Sequence, residues 1–286
     1  MIKLFNYFIQ SILIYIFFFI GRMIGLKQSR KLFAFIFSKT GMLFKSKNII
    51  NKNLNNFSSN IDYREREKII QNMWRNYGMT FIEYIFLGFF RKNNSHIKIE
   101  GENNLNNILK KDKPVIFVSG HFANYELMSM EITKKKINLA TIYRPLNNYF
   151  LNPFMEFLRR KYICKNQIKK GRAGVREAMN FINDGYSIAL MIDQRVSEGE
   201  AVNLFNKTCL TTTLPAQLAL KYNLNIVPVS IIRDINNNFE LTFHSNINTI
   251  QFKDKSDLTR HLNNHLENML NKNPGQWIWT HNRWKL

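Results

Sequence analysis

Hydrophobic and polar positions along the chain fall into three textures. From Leu4 to Ile20 the sequence reads LFNYFIQSILIYIFFFI, without a charge and with only Asn6, Gln10 and Ser11 polar. Residues 64–90 form the second texture. There Ile69, Ile70, Met73, Trp74, Tyr77, Phe81, Tyr84, Ile85 and Phe89 recur at spacings of three and four, the period of an amphipathic helix packed on a core. The third begins at residue 114, where short apolar runs alternate with helical stretches. PVIFV (114–118), LATIY (139–143), YSIALMI (186–192) and NIVPVSII (225–232) read as strands, with FELTFHS (239–245) a further one. Helices are expected near 125–136, 152–163, 172–183 and 212–222, and Ser256 is expected to cap a last one carrying Leu258, Leu262, Leu266 and Met269. Strands apolar on both faces are strands covered by helices. The alternation therefore predicts an α/β fold: a mixed, largely parallel central sheet flanked by helices.

The amino-terminal run decides the organisation. As a helix it spans about 26 Å, slightly under the roughly 30 Å hydrocarbon core of a bilayer; extending to Ile24 closes the gap if Arg22 snorkels. A cleaved signal peptide is disfavoured, because the apolar part is long and no small-residue cleavage site follows. A buried core helix stays possible, with the polar residues marking one face. Length favours a membrane anchor. Only Lys3 precedes the run, whereas Arg22, Lys27, Arg30 and Lys31 follow it, so the positive-inside bias leaves the rest of the chain in the cytoplasm at the inner membrane. The expected division is an anchor at 1–25 and one domain at 26–286. Within that domain, 26–110 is a helical lead-in with a polar, Asn-rich connection at 46–66, and 111–286 is the α/β core. No period characteristic of solenoids or propellers repeats.

Charge narrows the partners. Lys plus Arg number 41 and Asp plus Glu 20, a net charge of +21, which calls for an anionic partner such as nucleic acid, anionic lipid or an acidic protein. Beside an anchor, an anionic membrane surface comes first, and nucleic acid is not expected. The two cysteines, Cys164 and Cys209, supply neither a disulfide framework nor a metal spacing.

Candidate chemistry centres on SGHFANYEL, residues 119–127. Ser119 and Gly120 end a strand, and Asn124 is placed to cap the following helix. His121 then lies at the carboxyl edge of the sheet, where open α/β folds bind ligands. Five helical positions would separate His121 from Glu126 by about 140°. Only a loop followed by a first helical turn can fold the imidazole back onto the carboxylate. So placed, His121 is a candidate general base and Glu126 its orienting partner, with backbone N–H groups at the helix start as oxyanion donors. A lone H-x4-E pair is a weak signal by itself. No GxSxG elbow offers a serine nucleophile, and no third ligand is spaced for a metal.

SGHFANYE, YRPLNN, GRAGVREA, ALMIDQRVSEGEAVNLF, TTTLPAQLAL and PGQWIWTHNRWK occur in that order. Together they closely resemble the bacterial lipid A biosynthesis acyltransferases, the late lauroyl/myristoyl transferases, over about residues 65–286 plus the anchor. The resemblance implies a glycerolipid-acyltransferase-like fold and transfer of an acyl chain from acyl carrier protein to a hydroxyl of a lipid A precursor, with no cofactor and no metal. It places His121 and Glu126 on the catalytic motif and makes Arg159 the substrate-binding arginine, with Arg160 its rival. Arg144 and Asp193 fall on motif positions as supporting substrate-site residues. Ala123 and Tyr125 stand where the family has Gly and Trp, which would make a positive φ at 123 less comfortable. NLFNKTC replaces a Pro-Phe-Phe-Gly-like segment, and Gly275 and Asn282 stand where Glu and Arg are common. These departures bear on acceptor and chain-length preference. Another lipid acceptor, or a non-catalytic basic membrane-surface or nucleic-acid-binding protein, are the rival readings. Trp277, Trp279 and Trp284 could be core or headgroup-level anchors. His261 and His265, one turn apart, make a poor metal site.

Overall fold

The structure, a computed structural model, describes residues 2–109 and 113–286. The expected boundary between helical lead-in and core, at 110/111, falls outside the described residues. Helices α1 (Ile2–Phe44), α2 (Lys47–Phe57), α3 (Tyr63–Glu83) and α4 (Leu87–Lys92) come first. They are followed by β1 (Ile97–Glu100), α5 (Glu102–Leu109), β2 (Val115–Ser119), α6 (Glu126–Lys134) and β3 (Leu139–Tyr143). Next are α7 (Asn152–Leu158), β4 (Asn166–Lys169), α8 (Arg172–Asn183) and β5 (Ser187–Met191). A hairpin of β6 (Glu200–Leu204) and β7 (Lys207–Thr211) precedes α9 (Leu214–Tyr222), β8 (Asn225–Arg233), β9 (Phe239–Phe243) and α10 (Lys255–Lys272).

Among the described residues, seven strands form one sheet in the order β1-β9-β8-β2-β5-β3-β4. Only the β8–β9 pair is antiparallel; β1–β9, β8–β2, β2–β5, β5–β3 and β3–β4 run parallel. The expected mixed, largely parallel sheet is what forms. Strand β2 is buried at every position, because apolar clusters cover both faces of the sheet. Phe117 and Val115 face the layer of α4, α6 and α7, while Ile116 and Val118 face that of α8 and α9. The short, polar β1 and β4 and the β6–β7 hairpin were not among the strands expected from the pattern. Their sequences, IKIE and NQIK among them, lack the apolar run that marks a doubly covered strand. Helix α10 is capped by Asp254 rather than Ser256: the aspartate accepts from the N–H groups of Ser256 (2.8 Å) and Asp257 (2.9 Å).

The apolar run is the first half of α1. It continues as one element to Phe44 through a break at Gly25, whose φ of 79° is open to glycine at little steric cost. Beyond the break α1 packs against α3. Gly78 of α3 lets the Phe33 carbonyl approach so closely that a Cβ there would collide with it. Phe33, Phe37, Tyr77 and Phe81 pack their rings in this seam.

A fully buried carboxylate ties these layers together. Glu83, at the end of α3, accepts from Arg30 Nε of α1 (2.5 Å), from Arg233 Nη1 (2.5 Å) and Nη2 (3.0 Å) at the end of β8, and from Asn124 Nδ2 (2.8 Å). Burial pushes this carboxyl up, but Arg233, Arg30 and the hydrogen bonds outweigh it, so its pKa is lowered overall. Two guanidiniums against one carboxylate leave a net positive charge. Phe239 shares it, its ring 4.6 Å from Arg233 Cζ and 5.6 Å from Arg30 Cζ.

Removing the carboxylate strands two buried cations. Glu83→Ala is expected to lower unfolding free energy by about 3–5 kcal/mol, read as a shift of the urea midpoint of the detergent-solubilised protein. Stability should also fall as pH drops from about 6.5 towards 4. Burial first, then neighbouring positive charge, brings His96 and His265 down to about 4, whereas the unfolded imidazoles titrate near 6.5. In that window the unfolded chain binds the extra protons. A lower urea midpoint at pH 5 than at pH 7, with the difference reduced in a His96→Gln/His265→Gln variant, checks it.

Candidate active site

Parallel register brings His121 and Asp193 together. Strands β2 and β5 are neighbours with Ser119 opposite Met191, so residues two positions beyond each carboxyl end, His121 and Asp193, emerge side by side. His121 Nδ1 lies 2.7 Å from Asp193 Oδ1, and the His121 backbone N–H donates to Oδ2 (2.7 Å). The Trp277 indole N–H donates to the same Oδ2 at 2.7 Å. Burial pushes the Asp193 carboxyl up, but the His121 ring and the hydrogen bonds from His121 and Trp277 outweigh it and bring it down to about 2. An ionised carboxylate only accepts, so in its neutral form the ring carries its proton on Nδ1 and Nε2 is an acceptor. Gln194 Nε2 is 3.4 Å from that Nε2 and 3.0 Å from His281 Nε2. Burial lowers His281 to about 4.

The carboxylate partner of His121 therefore differs from the sequence expectation. Among the described residues no hydrogen bond joins His121 to Glu126. Instead Glu126 Oε1 accepts from Arg159 Nε (2.9 Å), Arg159 Nη2 (2.6 Å) and the Tyr84 hydroxyl. The expected turn of the chain does occur, since α6 begins at Glu126. It places Glu126 on the side facing Arg159, and it is register across β2–β5 that supplies the acid to His121. Asn124 does not cap α6 either; its side-chain amide donates to Glu83, and the helix starts without a side-chain cap.

The loop between His121 and α6 is held under strain. Ala123 has φ 45°, the left-handed conformation that the Gly-to-Ala departure makes less comfortable. Its N–H donates to the Gln276 carbonyl (3.1 Å), and its carbonyl accepts from Thr80 Oγ1 (2.8 Å) and, at 3.4 Å, Asn76 Nδ2. Three bonds from two outside elements offset a local cost of about 1–2 kcal/mol.

Arg159 is the buried member of the arginine pair, and Arg160 is exposed. The expected helix 152–163 ends as α-helix at Leu158 and closes with a π turn, Arg159–Ile163, starting at this arginine; wide turns of this kind recur at functional sites. Arg159 Nη2 donates to the Tyr84 oxygen (3.0 Å), while Nη1 is buried without a partner among the described residues. Burial opposes its charge, yet Glu126 and the tyrosines raise its pKa further, so it is permanently cationic. Burial likewise holds the Tyr84 phenol well above its usual range.

These groups line one cavity of about 640 Å3. Phe18, Phe81, Met128, Leu151, Met155 and Ile163 supply apolar wall, His121 and Glu126 lie within it, and Lys45, Arg144, Arg159 and Lys170 supply positive charge. Of the expected site residues, His121, Glu126, Arg144 and Arg159 line the cavity, and Asp193 is buried beside it as the partner of His121. Sequence reasoning missed Tyr84, Gln194, Trp277 and His281. Tyr84 sits within the helical stripe read as core. The tryptophans are core: Trp277 is 1%, Trp279 0% and Trp284 6% exposed, and Trp277 uses its polar edge on Asp193. The sequence signal for Asp193 was its place directly after the apolar run YSIALMI, at the carboxyl end of an expected strand.

A model of the family described as bacterial lipid A biosynthesis acyltransferase matches residues 2–286. The lipid A biosynthesis palmitoleoyltransferase of Escherichia coli strain K12 is 24% identical over 249 residues, covering 85% of this chain and 80% of that protein. The lipid A biosynthesis acyltransferase of Shigella flexneri matches with the same 24% identity and coverage. The crystal structure of the 1-acyl-sn-glycerophosphate acyltransferase from Thermotoga maritima is similar with a TM-score of 0.40 at 14% identity, over 87% of this chain and 96% of that one. With the match running essentially from end to end of the described chain, this protein belongs to the bacterial lipid A biosynthesis acyltransferases.

Proposed function

We propose that this acyltransferase moves a fatty acyl chain from an acyl carrier protein thioester to a hydroxyl of a phosphorylated lipid A precursor, working at the inner membrane with its catalytic domain facing the cytoplasm. The observation that carries the reading is the His121–Asp193 pair, which leaves Nε2 as a base in a cavity that is apolar along one wall and cationic along another. Nε2 takes the proton of the acceptor hydroxyl, and the oxygen adds to the thioester carbonyl. The C–S bond then breaks, and the imidazolium returns its proton to the leaving thiolate. Asp193 keeps the ring in the tautomer this requires and stabilises the imidazolium. The backbone N–H group of Tyr125, a residue that lines the cavity and whose N–H has no hydrogen-bond partner among the described residues, is the donor for the oxyanion.

Apolar wall residues suit an acyl chain, and the cationic ones suit phosphate. Arg159 is held by Glu126 and Tyr84 with one nitrogen unspent. Glu126 in this reading acts through Arg159, and Asp193 takes the orienting role expected of Glu126. Arg144 stands with Lys45 and Lys170 as a further anion contact. An acidic carrier protein also suits a chain of net charge +21. Lauroyl or myristoyl is the proposed donor chain, although the Escherichia coli relative is named for palmitoleoyl transfer.

Purified protein supplied with lauroyl-, myristoyl- or palmitoleoyl-acyl carrier protein and a lipid A precursor tests the reaction, with products weighed by mass spectrometry. His121→Ala is expected to lose about 10²–10⁴-fold in rate. Asp193→Asn should lose a comparable factor in kcat with little change in KM, since the amide cannot enforce the tautomer. Unchanged turnover in His121→Ala would exclude the mechanism. Arg159→Ala should raise KM for the phosphorylated acceptor more than it lowers kcat. The opposite split would place Arg159 in the chemistry rather than in binding.

A further inference from the structure

The first half of α1 turns one stripe to the body and leaves the other bare. Ser11 and Phe18 are buried. Ser11 Oγ donates to Asn148 Oδ1 (2.9 Å), Asn148 Nδ2 donates to the Tyr7 carbonyl (2.8 Å), and the Tyr15 hydroxyl donates to the Phe150 carbonyl (2.9 Å). Phe8 packs on Phe150 at 5.4 Å between ring centres, and Tyr15 on Phe154 at 5.6 Å. Segment 148–154 thus clamps the helix well away from its break at Gly25. On the opposite side Phe5, Ile9, Ile12, Ile16 and Phe19 make an apolar arc, 39–68% exposed, that neither Asn6 nor Gln10 interrupts.

The clamp is what constrains the membrane geometry. Ser11 lies about 21 Å along the helix axis from Gly25. If α1 crossed a bilayer of roughly 30 Å hydrocarbon thickness, Asn148 and its loop would be carried deep into that layer. Irregular backbone there finds no hydrogen-bond partners in lipid. Glu156, Arg160 and Lys161, which follow closely on the same segment, would be drawn after it at about 2.5–3.5 kcal/mol per charge near the centre. Laid along the surface, the same parts fit. The clamp segment has its own exposed apolar residues, Tyr149 (73%), Phe150 (40%) and Phe157 (52%). Exposed Lys3, Arg22, Arg160 and Lys161 flank them with the charge that anionic headgroups attract.

We propose that α1 does not cross the membrane. It lies in the plane of a single leaflet, apolar arc inward, with Tyr149, Phe150 and Phe157 inserted beside it, and the partner of this face is an anionic lipid surface. Phe18, Leu151 and Met155 sit beneath this face and also line the cavity, so the cavity opens next to lipid. The inference does not depend on the acyl-transfer reading, and its test involves no chemistry on a substrate.

Full-length protein with Lys3→Cys, or with Glu198→Cys on an exposed loop of the body, is expressed and recovered in sealed inverted inner-membrane vesicles. It is then treated with a membrane-impermeant maleimide; the native cysteines are buried. Both positions should label from the same side. Labelling of Lys3→Cys only after the vesicles are opened, with Glu198→Cys labelled while they are sealed, overturns the proposal. In a second arm, a fluorophore on Tyr149→Cys should be quenched by brominated lipids in phosphatidylglycerol vesicles about as strongly as one on Ile12→Cys. A Tyr149→Ser/Phe157→Ser variant should bind those vesicles about 10-fold more weakly. An unquenched label, unchanged binding, or a lipid-free dimer that buries the arc and ignores vesicles each overturns it.

Discussion

Burying one carboxylate obliges the rest of the chain to come to it. Glu83 sits out of water, and a lone charge there would cost far more than a domain's net stability. Its partners are drawn from α1, from the end of β8 and from the loop that follows His121. The amino-terminal helix, the far side of the sheet and the loop between His121 and α6 are therefore anchored to one point. Such a cluster adds little stability over a well-packed apolar alternative. What it contributes is position: the loop that starts α6 cannot shift without leaving a buried charge short of a donor.

Two further carboxylates, Asp193 and Glu126, hold separate partners at the cavity. Asp193 accepts from the His121 ring, the His121 N–H and the Trp277 indole, and Glu126 Oε1 accepts from Arg159 and Tyr84. The two acids do not compete for one imidazole. One fixes the tautomer of His121, and the other holds the Arg159 guanidinium, whose Nη1 is buried without a partner among the described residues. Low polarity around both strengthens these interactions and makes their loss costly.

Much of this was legible in the chain. The doubly apolar strands PVIFV and NIVPVSII announced a covered parallel sheet, and SGHFANYE placed a histidine at its carboxyl edge. What escaped were features set by distance across the fold. The acid facing His121 depends on which strand lies beside β2, and adjacency in a sheet leaves no periodic trace in sequence. Glu126 was the acid expected because it stands at the helix start on the H-x4-E motif. Tyr84 looked like one more residue of a packed stripe, because a helix that borders both core and cavity shows a single apolar period. β1 and β4, short and polar, lean on their neighbours rather than on their own composition.

The stretch from 276 to 284 has a temporal meaning. Its Gln276 carbonyl and Trp277 indole complete the surroundings of the loop and of Asp193, and Arg283, wholly buried, bonds the Leu210 carbonyl and Thr211. Translation makes this stretch after everything it organises. His121 and Asp193 are both made well before it, so the indole donor and the Gln276 carbonyl are the last partners they and their loop acquire. Losing residues 276–284 would therefore strip Asp193 of its indole donor and the Ala123 N–H of its acceptor together, while every strand of the sheet stayed in the chain.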